Sequence, residues 1–124
     1  MVGTFLKFLE YNQNIMFLTT NRIRDIDPAV KSRMNLLLSY PDLKRDDRIH
    51  IWTNLTERNK IQISKDAIIL LADKEMNGRE IRNNVKILTS MLKDKDYDDD
   101  EIIDVVERCH ALSHEFETCI NMYA

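Results

Sequence analysis

Glycine and proline are scarce in this chain, two of each in 124 residues. Collagen-like, low-complexity and turn-rich all-β architectures are thereby disfavoured, since each uses one or both in quantity. Cysteine is as rare. Cys109 and Cys119 stand alone, in no CxxC pair. Both fall in one expected helix, ten positions apart and roughly 15 Å along its axis, too far for a disulfide. A reducing compartment fits best. No stretch approaches the roughly 18 apolar residues that a membrane span needs. The first nine residues lack the basic head and apolar run of a signal peptide. A positive excess is missing too. Lys plus Arg number 18 against 21 Asp plus Glu, a net charge of −3, which does not suit a protein that grips nucleic acid or an anionic membrane. The expectation is a soluble intracellular domain, cytoplasmic or nuclear, with no membrane or nucleic-acid partner.

What is present is ordinary for a folded protein: 44% hydrophobic and 31% charged residues. A chain of this length can bury roughly two-thirds of its unfolded surface in one core. Phe5, Leu6, Phe8 and Leu9 have helical spacing and predict a short amphipathic helix ending near Tyr11 and Asn12. Ile15 to Thr20 is a continuous apolar and β-branched run, which reads as a strand buried on both faces. Asp27-Pro28 predicts a helix start, with Asp as N-cap and Pro in the first turn. Met34 to Tyr40, carrying Leu36-Leu37-Leu38 and closed by Pro41, predicts a second short buried strand.

Beyond Pro41 the pattern turns helical. Ile49, Trp52 and Leu55 mark a helix over residues 43–59, and Ser64 caps one rich in Ile68, Ile69, Leu70 and Leu71. Asn77-Gly78 breaks the chain again. Ile81, Val85, Leu88 and Leu92 then follow a 3.6-residue period. An acidic connector over 94–100 leads to a last helix with Ile102, Val105, Val106, Leu112 and Phe116 on one side. The expected fold is therefore an α/β fragment over residues 1–41, two parallel-sheet strands with flanking helices, followed by an all-α four-helix lid over 42–124. The whole is mostly α.

Four segments stand in an informative order: Ile15–Arg22 (IMFLTTNR), Ile26–Arg33 (IDPAVKSR), then Tyr40, Leu43, Arg48 and Ile51-Trp52, and last Asn77–Asn83 (NGREIRN). In this order and spacing they resemble the C-terminal part of an AAA+ ATPase module, most closely a group of AAA+ proteins common in fungi. The resemblance covers nearly the whole chain. It implies ATP binding and hydrolysis coupled to macromolecular remodelling in a ring, with other AAA+ subunits as partners and a protein as substrate.

By that resemblance Asn21 matches sensor 1, a neutral amide that orients the attacking water beside the γ-phosphate. Arg33 matches the arginine finger, which reaches a neighbouring subunit's nucleotide with a permanent charge and a planar fork. Arg79 matches sensor 2, an Arg at the start of a lid helix, and Arg82 is a weaker match one turn on. Taken singly, Asn21 reads as well as a turn residue, and the three arginines as solvated surface.

The departures from the family matter as much. No GxxxxGK[ST] occurs; the only glycines are Gly3 and Gly78. No apolar run ending in Asp-Glu precedes the first helix. ATP and Mg²⁺ are implied by the family, but the phosphate cradle and the Mg²⁺ carboxylates are missing. The chain is expected to be inactive alone and to work with a Walker-containing segment. The alternative is a non-catalytic AAA+ remnant that docks on a partner ATPase.

Other constellations are weaker. His110 and His114, four apart on one helix, can place two imidazoles on one metal, but HExxH is absent and no metal site is assigned. The acidic connector imitates a calcium loop, yet Asp99 stands where that loop needs Gly, and Val105 where it needs Glu. A solvated acidic linker is the better account.

Overall fold

Every regular element among the described residues is helical. The structure is a computed structural model that describes residues 2–123. Six α-helices follow one another: α1 Val2–Tyr11, α2 Pro28–Ser32, α3 Arg45–Arg58, α4 Lys65–Ala72, α5 Gly78–Met91 and α6 Asp99–Tyr123. Short 3₁₀ turns lie at Ile23–Asp25 and Leu92–Asp94. The chain divides into two compact units, one ending at Tyr40 and one starting at Pro41.

The expected α/β fragment is not there. Residues 15–20 and 34–40 contain no strand and include exposed apolar side chains; Phe17 is 89% exposed and Leu36 73%. The reason is physical. A strand leaves every backbone N–H and C=O to be satisfied by a neighbour, and two isolated runs of this length supply no sheet. A helix satisfies those groups internally, so α1 and α2 form where the strands do not. Among the described residues of this unit Val30 is the buried apolar one, and Asp27 caps α2 by accepting the Ala29 N–H at 2.7 Å, with Pro28 at the first helical position.

In the second unit, α3 packs on α4 and α5, and α6 packs on the same two. Side chains close the helix starts. Asp47 accepts the Lys44 N–H at α3, and Ser64 Oγ accepts the Ala67 N–H at α4. At α5, Asn77 and Glu80 exchange side-chain-to-backbone bonds of 2.9 and 2.7 Å, a reciprocal box that satisfies two orphan donors. Asp98 and Glu101 repeat it at α6, at 2.9 and 3.3 Å. Trp52, Leu71, Ile81, Val85, Leu88, Ile102 and Val106 form the centre of the core, each almost fully buried.

Arg48 is buried among these helices. Its Nε donates to the Ala72 carbonyl and its Nη1 to the Leu43 carbonyl, both at 2.7 Å. The first of these bonds satisfies a carbonyl at the end of α4, where a cation is favoured by the helix dipole. The turn after α3 uses another device. Lys60 takes a left-handed backbone, φ 56°, so that the Ile61 N–H reaches back to the Thr56 carbonyl at 2.9 Å.

Candidate functional site

Asn21 and Arg33 belong to the first unit, Arg79 and Arg82 to the second. Asn21 is exposed in a bend. Thr20 Oγ1 accepts the Arg22 N–H at 2.9 Å, which tightens the turn, and the 3₁₀ turn at Ile23–Asp25 follows. With no strand before it, Asn21 stands in a loop and not at a strand tip.

Arg33 closes α2. Its Nη1 donates to the Ala29 carbonyl at 2.9 Å, while Nε and Nη2 both donate to Glu10 Oε1, at 3.0 and 2.5 Å. Glu10 lies on α1. No periodicity or motif in the sequence pairs residues 23 positions apart, and this contact could not be foreseen there.

Arg79 occupies the first turn of α5 and Arg82 the next, both exposed. Among the described residues neither forms an ion pair. With Gly78 they line an open concavity of about 420 Å³ whose other wall is Ile51, Asn54 and Leu55 of α3. Asn77 brings this about. By capping α5 it starts the helix at Gly78, and the 3.6-residue turn then carries Arg79 and Arg82 to the same rim. The α3 wall was missed in the sequence, although Ile51 and Leu55, four apart, share a helix face.

Chemically this groove offers two guanidinium groups beside an apolar wall, at a helix N-terminus. It suits an anion carrying an apolar body. The phosphate side of a nucleotide fits such a donor set. Mg²⁺ does not: the lining holds no carboxylate.

His110 and His114 on α6 meet edge to face, ring centroids 4.5 Å apart. Burial holds the His110 imidazole below its usual range, His114 and Lys74 add to this, and Glu80 opposes it. Among the described residues no group of three metal-ligating side chains includes them. On the surface, Arg45 and Asp73 form an ion pair that raises the arginine and lowers the carboxyl. It joins the start of α3 to the end of α4, away from the residues that line the groove.

Among the described residues no helix is long and apolar enough to cross a membrane. No family model matches the chain, and no curated protein or solved structure matches it either.

Proposed function

We propose that the chain is the downstream part of an intracellular AAA+ ATPase, with its helical unit serving as a lid over nucleotide held by a Walker-containing segment. In this reading Arg79 contacts the γ-phosphate side of ATP, Arg82 supports it, Arg33 acts across a subunit boundary in a ring, and Asn21 positions water. ATP hydrolysis then moves the lid and remodels a macromolecular substrate. The observation that carries the reading is the groove between α3 and α5, where Asn77 starts the helix so that two arginines without ion-pair partners among the described residues rim an apolar wall.

A permanent cation aimed at developing phosphate charge contributes most in the transition state, so its loss is read in turnover. Arg79→Ala, in the ATPase assembled with its Walker-containing segment, is expected to lower ATP turnover at least about tenfold. Unchanged nucleotide affinity and turnover would reject the role of Arg79 and, with it, the lid.

A further inference from the structure

Arg33 presents two edges. One Nη1 hydrogen is spent locally, on the Ala29 carbonyl of its own helix. The Nε–Nη2 edge is the fork with which arginine grips a carboxylate or a phosphate, and in this chain Glu10 fills it with a single oxygen, Oε1, taking both donors. Carboxylate and phosphate oxygens compete for that edge because both are anionic acceptors of similar geometry.

We propose that Glu10 is a positioning residue for Arg33: it parks the guanidinium by its Nε–Nη2 edge, one of the forks on which an incoming phosphate oxygen can bind. The proposal rests, for its catalytic meaning, on Arg33 being the arginine finger. The finger is then held within its own chain until a phosphate displaces Glu10. The side chains of both partners are partly exposed, Arg33 at 32% and Glu10 at 48%. A pair so placed is a weak brake and not a lock. Removing the carboxylate should tighten anion binding at Arg33 by roughly two- to fivefold.

The test follows the Arg33 Nε–Hε resonance in the arginine-¹⁵N-labelled 124-residue chain during titration with sodium pyrophosphate at constant ionic strength. In Glu10→Ala the free Arg33 resonance is expected to move toward that of a solvated arginine. Its pyrophosphate midpoint should fall two- to fivefold, with the Arg79 and Arg82 midpoints unmoved. Glu10→Gln, which keeps an acceptor but no charge, should lie between. It also decides the matter if the alanine variant disturbs α1. An Arg33 resonance and midpoint that are the same in all three proteins overturn the proposal.

Two failures remain distinct. A Glu10 effect on Arg33, combined with ATP turnover indifferent to Arg33→Ala in the assembled ATPase, sinks the finger and keeps the contact. Turnover that depends on Arg33, with no Glu10 effect, sinks the contact alone.

Discussion

The unit ending at Tyr40 and the unit starting at Pro41 both carry dense apolar runs, but they bury them very differently. Ile15, Phe17, Leu36, Leu37 and Leu38 are exposed in the first. In the second a continuous core runs from Trp52 to Val106. The difference lies in the backbone. A helix completes its own hydrogen bonds, so α3 to α6 need only side-chain partners, and each finds them on two neighbours. An extended run needs a backbone partner as well as an apolar one. Hydrophobicity alone does not make a core.

Removing equivalent carbon from each unit should have the most unequal effect. Leu71 is fully buried between helices, and Leu71→Ala leaves a cavity expected to cost about 3 kcal/mol. Leu37, 58% exposed, should cost less than about 0.5 kcal/mol on the same change. Trp52 is the chain's one tryptophan and lies in the core. Urea unfolding followed by its fluorescence therefore reads the helical unit directly. Equal losses for the two variants would mean that the exposed run contributes to the same cooperative core, and the contrast would collapse.

The packed unit can also be improved. Lys60 holds φ 56° at the end of α3, where a side chain crowds the left-handed backbone. Glycine carries no such penalty, although its freedom in the unfolded chain takes back part of the gain. Lys60→Gly should stabilise the helical unit by about 0.5–1 kcal/mol, seen as a higher urea midpoint at unchanged slope. A loss of stability would show that the lysine stem makes packing contacts worth more than the relieved backbone.

The helical half was legible because its signals are local. Ser64 and Asn77 cap their helices through bonds to residues three positions on, and the 3.6-residue stripe of Ile81, Val85 and Leu88 is buried as its period requires. The strands failed because a buried strand is defined by neighbours the sequence does not name, and Ile15 to Thr20 carries no local mark of their absence. Along α6 the expected stripe is only half buried. Ile102 and Val106 are in the core, whereas Leu112 and Phe116 are exposed. At 25 residues, roughly 37 Å, α6 is far longer than α5 at 14 residues, roughly 21 Å, so its second half outruns the helix that would cover it. The resemblance supplied Arg79 and Arg82 at the groove, while its α3 wall, and in the other unit the contact of Glu10 with Arg33, depended on tertiary placement.

The smallest effect concerns pH and sits at the edge of the packed unit. His110 faces Glu80 of α5, Lys74 in the segment after α4, and His114 on its own helix, with Lys74 also paired to Glu107 at 2.9 Å. Burial is the main reason that its imidazole is held below the ordinary value. A depressed imidazole means that the folded chain takes up its proton later than the unfolded chain does. Its stabilising contribution is therefore complete above the unfolded value of about 6.5 and is lost as pH falls toward the lower folded value. Asp73, also depressed, begins to matter only below the usual carboxylate value of about 4, a separate window. Between about pH 7.5 and 5.5 the urea stability of the parent protein should decline, and His110→Gln should flatten that decline. The change should stay below about 1 kcal/mol, because solvent screens a group that is only partly covered. A glutamine variant that declines as steeply as the parent would mean that the proton is taken up elsewhere.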